Sequence, residues 1–339
     1  MTPPPMPESA VGIATPTSGP ASSTVPTIDL AAPLQFVINA GSGSGDTESR
    51  RAAIEAALRA AGRTGHLRLT SPDEIVPEAQ AAAKQALHLR SAVVAVGGDG
   101  TINAVAQAAH STGCVMGVVP QGTFNFFARM HGIPQDPGDA TFALLSSQPA
   151  PVQVGMVNDR IFLVNASIGL YPELLEDRES FKARFGRNRL VAFLSMLATL
   201  LTNTRQLRIR IELDAATRDV RTRTLFVGNN RLQLEQLGLT DERSHDNGHI
   251  TAVMLRPIGA LAMLGLVVRG AAGSLGDADA IESFRFQRMT ILVRRGSLRR
   301  QMKVAFDGEV AQLTLPLLFR VASTPLYLLK ASTADRATA

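Results

Sequence analysis

SAVVAVGGDGT, residues 91–101, decides the fold. Its apolar run does not alternate between core and water, so it reads as a strand buried on both faces. Gly97, Gly98, Asp99, Gly100 and Thr101 then form a turn, and INAVAQAAHSTG (102–113) follows with apolar positions at helical spacing. A buried strand that leaves through glycines into a helix is the unit of a parallel α/β sheet. Glycines allow backbone N–H groups to approach a phosphate closely, and a helix N-terminus adds a favourable dipole. A carboxylate at such a place repels a phosphate. Asp99 therefore makes chemical sense if a Mg²⁺ bridges the two, or if it takes a proton from an attacking hydroxyl. The plain alternative is a Gly-Asp turn that closes a strand.

The same rhythm extends in both directions. LQFVINA (34–40) is a buried strand running into GSGSGDT (41–47), and RRAAIEAALRAAG (50–62) is a helix ended by Gly62. HLRLT (66–70) and PEAQAAAKQALHL (77–89) supply a second strand and helix, and VMGVVPQGT (115–123) a further strand and turn before the helix opened by FNFFARMHG (124–132). GSGSGDT is neither a P-loop, which needs Lys before Ser/Thr, nor a dinucleotide fingerprint, since Asp46 stands at the third glycine. PQGTFN (120–125) shares the strand-to-helix setting of GGDGT. Open α/β sheets gather such turns at one carboxyl edge, where ligands bind.

After about residue 150 the pattern becomes β-rich. VQVGMVN, RIFLVNASIG, QLRIRIELD, VRTRTLFVGNN, HITAVMLRP, SFRFQRMTILVRR and QMKVAFDGEVAQ read as strands of a mostly antiparallel domain. Helix candidates span 187–203 and 257–271. The expected organisation is a disordered tail over 1–32, an α/β domain over 33–150, a β-rich domain over 151–330 and a frayed tail over 331–339. Within QMKVAFDGEVAQ, Asp307 and Glu309 flank Gly308; on one strand they would share a face, as a base and its partner do, while the alternative is a simple β-turn.

Composition removes several classes. The 339 residues are 45% hydrophobic and 19% charged, with 34 basic against 29 acidic side chains, which describes a globular chain with a modest positive excess. A single cysteine, Cys114, rules out a disulfide framework and a cysteine zinc site. With no Trp and two Tyr, a nucleic-acid stacking platform is not expected. The first thirty residues lack the basic and apolar regions of a secretory signal, and the longest apolar stretches (190–201 and 258–268) fall short of the roughly 18–20 residues that cross a bilayer. The expected location is cytoplasmic. Arginines around 178–189 and in RRGSLRR (294–300) offer a basic surface for anionic lipid.

Gly97-Gly98-Asp99-Gly100-Thr101-Ile102-Asn103, followed by Pro120-x-Gly122-Thr123-x-Asn125-x-x-Ala128-Arg129, resembles the diacylglycerol kinase catalytic-domain family of bacterial lipid kinases, to which sphingosine kinases are related. Asn39 with Ser42-Gly43, FLVNASIGL (162–170), VGNN (227–230) and Asp307-Gly308-Glu309 extend the resemblance from Leu34 to Leu329. It implies an α/β domain of the NAD-kinase and phosphofructokinase type, a C-terminal β domain, and ATP with Mg²⁺ in the cleft between them. Asn39, Ser42, Gly43, Thr70, Gly97, Gly98, Asp99, Gly100, Thr101, Ile102, Asn103, Gly122, Thr123 and Asn125 would then face ATP. Asp307 or Glu309 would be the base, with Asp99 near the transferring phosphoryl group and its metal; Asp307→Ala should stop turnover and leave the fold intact. Ser244, Asn247 and His249 fall in the stretch matching the family's structural Mg²⁺ turn, with Asn247 where the family has Asp. Ala104 and Phe126 replace the family's Glu and Asp, and Ala40 its Pro. The implied activity is phosphorylation of a lipid hydroxyl at the inner face of an anionic membrane, by a peripheral protein; a homodimer is left open. A soluble NAD-kinase-like enzyme and a non-catalytic lipid- or nucleotide-binding regulator are the alternatives.

Overall fold

The computed structural model describes residues 25–41, 47–169, 172, 206–213, 216–229, 248–256, 281–293 and 300–331. Both helix candidates of the second half, the arginines at 178–189 and residues 294–299 lie outside these residues. The expected GGDGT unit is present: β3 (Ala92–Gly97) is buried throughout and delivers the chain to α3 (Asp99–Thr112). The helix begins earlier than its apolar periodicity suggests. Gly98 is its N-cap and Asp99, Gly100 and Thr101 form its first turn, so only two glycines lie outside the helix.

Four parallel strands order as β2 (Gly65–Thr70), β1 (Leu34–Asn39), β3, β4 (Val115–Pro120). Alternate strand residues face two separate cores. Val37, Val93, Ala95, Met116 and Val118 pack under α2 (Ile75–His88) and α3. Phe36, Ile38, Val94, Val96 and Val119 pack under α1 (Thr47–Ala60) and α5 (Pro137–Leu145). Both faces of the sheet are thus covered, which is why its strands are continuous apolar runs. The first connection leads from β1 outward to β2 and the second leads back across β1 to β3, so the strand order reverses between β1 and β3. That is where ligand crevices form in open α/β sheets.

Strands on both sides of the boundary expected at residue 150 join the first sheet. β5 (Gln148–Val152) straddles it, and β18 (Leu326–Lys330) returns from the far end of the chain to lie parallel to β4 and antiparallel to β5. The first layer is therefore made from both ends of the chain. Within residues 25–32, expected as tail, Asp29 N donates to Arg90 O at 2.7 Å and Ile28 packs on the second core.

The β-rich half is a sandwich. One sheet orders as β10 (Ala216–Thr222), β9 (Leu207–Leu213), β14 (Arg288–Val293), β17 (Leu317–Val321), β6 (Gly155–Val157), β7 (Arg160–Phe162). The other orders as β13 (Ile281–Phe286), β12 (Ile250–Leu255), β11 (Thr224–Gly228), β8 (Asn165–Gly169), β15 (Gln301–Phe306), β16 (Glu309–Thr314). Ile168, Leu225, Val227 and Val304 from the second sheet meet Ile209, Ile211, Ile291 and Phe319 from the first in a shared core. Three runs expected as single strands cross between sheets: RIFLVNASIG becomes β7 and β8, VRTRTLFVGNN contributes to β10 and β11, and SFRFQRMTILVRR becomes β13 and β14. Among the described residues no helix is long and apolar enough to cross a membrane.

Candidate active site

The two glycine turns meet at the carboxyl edge, as their spacing predicts. Gln121 N donates to Gly97 O at 2.7 Å, and a Cβ placed on Gly122 would lie 2.9 Å from Gly98 Cα. Only residues without side chains allow that approach. The turn at 122 is held by Asn125, which adopts a left-handed backbone (φ 49°). Its Oδ1 accepts from Gly122 N at 2.8 Å, and its Nδ2 donates to Gly122 O at 3.0 Å and to Gln135 Oε1 at 2.8 Å. Asn125 N then donates to Asp99 Oδ2 at 3.0 Å, locking one turn to the other.

Asp99 keeps its second oxygen, Oδ1, buried and, among the described residues, without a hydrogen-bond partner. Burial raises its pKa, against bonds from the Asn125 and Phe126 backbone and the charge of Arg129. An orphaned buried carboxylate oxygen beside N–H groups of a helix start is a place for a cation that also binds an anion. Across the switch point, Asn39 Nδ2 donates to Thr101 Oγ1 at 3.0 Å, and Asn39 Oδ1 accepts from Gly41 N at 2.9 Å. Thr70 lies buried beside it, at the end of β2. Thr123 is exposed at the rim.

Several residues expected to touch a nucleotide are occupied otherwise. Ile102 is a core residue whose N–H is already bonded to Gly98 O at 3.0 Å. Asn103 points its amide away from the turn, donating to Asp307 Oδ2 at 2.6 Å and to Ile161 O at 3.3 Å. Asn125 spends its side chain on the turn itself. Ser42, Gly43, Ser244 and Asn247 lie outside the described residues. His249 is described, its carbonyl accepting from Gln153 Nε2 at 3.0 Å; among the described residues no group of three His, Cys, Asp or Glu could hold a metal ion.

The two carboxylates of the second half separate sharply. They do not lie along one strand: Asp307 and Gly308 are the two-residue turn of the β15–β16 hairpin, with φ of 48° and 93°, the positive values that favour an Asp-Gly pair. The Asp307 carboxylate is fully engaged. Oδ2 accepts from Leu163 N at 2.7 Å and Asn103 Nδ2, and Oδ1 from Val164 N at 2.8 Å and Asn165 N at 3.0 Å. Burial pushes its pKa up to about 6 while all four donors pull it down. The grip falls where the chain passes from β7 to β8, and it ties that crossing to α3. Asp307→Ala is therefore no fold-neutral substitution.

Glu309 is exposed and faces the first turn of α3: a Cβ on Gly100 would sit 2.6 Å from its Oε1. Its pKa is raised by burial of part of the carboxylate, with Arg160 opposing. The sequence offered no sign of Gln135, Gln107 or Arg160, and a lone polar residue outside a motif carries none. A second contact between the halves runs through Gln153 Nε2, which donates to Asn229 Oδ1 at 3.0 Å, while Asn229 Nδ2 donates to Leu163 O at 3.0 Å.

The site thus joins a double glycine turn of the α/β layer to a carboxylate from the β sandwich. Residues 33–157 match the family model for the diacylglycerol kinase catalytic domain, so the family resemblance carried by the turns holds. A Pseudomonas aeruginosa protein named "Probable lipid kinase YegS-like" is 43% identical over 128 residues, 36% of this chain and 40% of that protein. The diacylglycerol kinase of Bacillus subtilis is 34% identical over 138 residues, 40% of this chain and 45% of its own. The chain thus aligns with less than half of the length of these two relatives. Two solved Bacillus anthracis chains share the fold, each over 89% of this chain and 98% of theirs. One has a TM-score of 0.68 at 20% identity, the other, a diacylglycerol kinase, 0.64 at 17%.

Proposed function

We propose that the protein is a lipid kinase that transfers the γ-phosphoryl group of ATP to a hydroxyl of diacylglycerol or a related lipid. The observation that carries this reading is Glu309 lying against Gly100, a carboxylate that makes no ion pair among the described residues, brought from the sandwich to the helix start where phosphates would bind. Phosphoryl transfer needs positioning, neutralisation of charge and a base for the attacking hydroxyl. Gly98, Gly100 and Gly122 give backbone access to the phosphates, and the first N–H groups of α3 point to them without a side-chain cap. Asp99 Oδ1 would hold Mg²⁺, which when bound neutralises phosphate charge. Glu309 accepts the proton of the acceptor hydroxyl; the hydroxyl oxygen bonds to the γ-phosphorus as the bond to the β,γ-bridging oxygen breaks, and ADP leaves. Asp307 is assigned as the clamp that orients the hairpin, and Glu309 as the base.

The acceptor is lodged in a membrane, so the enzyme works at its surface, where the positive excess favours anionic headgroups. The test is transfer from γ-labelled ATP with Mg²⁺ to detergent-dispersed diacylglycerol, monoacylglycerol, phosphatidylglycerol, ceramide and sphingosine, with NAD as a soluble acceptor and Glu309→Gln as control. Label in a lipid that vanishes with Glu309→Gln supports the reading. Label in NAD alone replaces it with a soluble kinase, and ATP binding with no labelled acceptor replaces it with a regulator.

A further inference from the structure

We propose that Arg160 grips the transferring γ-phosphoryl group and holds it in register with Glu309, an inference that rests on the kinase reading above. Arg160 opens β7 and its neighbour is tied to α3 at both backbone groups: Ile161 N donates to Gln107 Oε1 at 2.9 Å and Ile161 O accepts from Asn103 Nδ2 at 3.3 Å. Asn103 and Gln107 stand one turn apart on the same helix whose first turn carries Asp99 and Gly100. The Arg160 backbone is thereby fixed relative to the phosphate turn, although it belongs to another sheet. The guanidinium lies over the Phe306 ring, 5.5 Å from its centroid, which orients a long side chain before any ligand arrives.

Arg160 is exposed, and among the described residues no carboxylate lies within ion-pair distance of it. Glu309 feels its charge without forming a salt bridge. Glu309 meets the start of α3 at Gly100 and the Arg160 charge bears on Glu309, so an anion bound at the helix start would meet both charges. Among the described residues, Asp99 on α3, Arg129 on α4 (Phe126–Met130) and the buried Asp307 also carry charge at the turns. Arg129 acts on Asp99 beside the 122 turn, so the sandwich side of the phosphate turn has Arg160 as its cation among these groups. A planar guanidinium fork suits phosphoryl oxygens, which carry the spreading charge of the transfer step.

The experiment measures calorimetric binding of ADP and of a non-hydrolysable β,γ-imido ATP analogue, with Mg²⁺, to the full chain and to Arg160→Gln, Arg160→Lys and Arg288→Gln. Turnover is measured on the lipid acceptor in parallel. Arg160→Gln should weaken the triphosphate about tenfold, leave ADP within about twofold, and lower kcat about a hundredfold. Arg160→Lys should restore part of both losses, and Arg288→Gln, which removes an equal charge from β14, should restore nothing because it loses nothing. Equal weakening of both nucleotides, or no change in either, overturns the role of Arg160 while leaving the kinase reading in place. A wild-type chain that binds neither nucleotide overturns both.

Discussion

Removing the Asp307 carboxylate would leave the Leu163, Val164 and Asn165 N–H groups without their acceptor and the Asn103 amide with Ile161 O alone, and a buried donor left unpaired costs about 1–3 kcal/mol. Asp307→Ala should therefore lower the melting temperature by several degrees as well as stop turnover. Glu309→Gln should stop turnover with the melting temperature unchanged and nucleotide binding intact; thermal melts and ATP titrations separate the two variants. Titration gives a further test. Asp307 has a folded pKa of about 6 against 3.8 for a free aspartate, so the folded state holds this proton more tightly than the unfolded chain does. Its contribution to stability is then greatest below the unfolded value and declines as pH rises through the folded one. Asp307→Asn should flatten that decline, read from urea unfolding at about pH 4 and about pH 7. GGDGT and the Asp-Gly-Glu triplet were legible as chemistry. Which of two carboxylates is free was not, because the decision rests on three N–H groups more than 140 residues away in the chain.

Glycines of the two turns differ in what surrounds them. A Cβ on Gly122 would meet Asn125 Oδ1 at 2.6 Å and Gly98 Cα at 2.9 Å, and the backbone contact cannot yield. Gly122→Ala should push the turns apart, destabilise by about 1–3 kcal/mol and weaken ATP at least tenfold, as read by denaturant unfolding and ATP titration. A Cβ on Gly100 would meet only the far end of Glu309. Because alanine favours a helix by about 1 kcal/mol over glycine, Gly100→Ala should match or exceed the wild type in melting temperature yet lose kcat by displacing the base. Element identity in the first layer follows from uninterrupted apolar strands and glycine punctuation, which leave little choice. The sandwich was harder to divide. A chain that alternates polar and apolar through a crossing, as at Arg223 or Gln287, keeps its two-residue period while changing sheets, so one pattern covers two strands.

The first layer is closed by β18. β18 supplies Leu326, Leu328, Tyr327 and Leu329 to the two cores of the first layer and fills the gap between β4 and β5. Ending the chain at residue 325 should therefore expose both strand edges and yield insoluble or protease-sensitive protein, which limited proteolysis would reveal; soluble protein that still binds ATP would contradict this. Nothing in LYLLK distinguishes a strand of the first layer from one of the second, since five apolar-rich residues suit either. The return of β18 also sets a schedule for synthesis. Domains commonly fold in the order in which a ribosome delivers them, but here the sheet that carries the glycine turns waits for β18, which is translated after the described strands of the sandwich. By that time the β15–β16 hairpin, with Glu309, has already emerged. On the proposed kinase reading, a nascent chain therefore completes the sheet of its glycine turns only after the residue assigned as base has emerged.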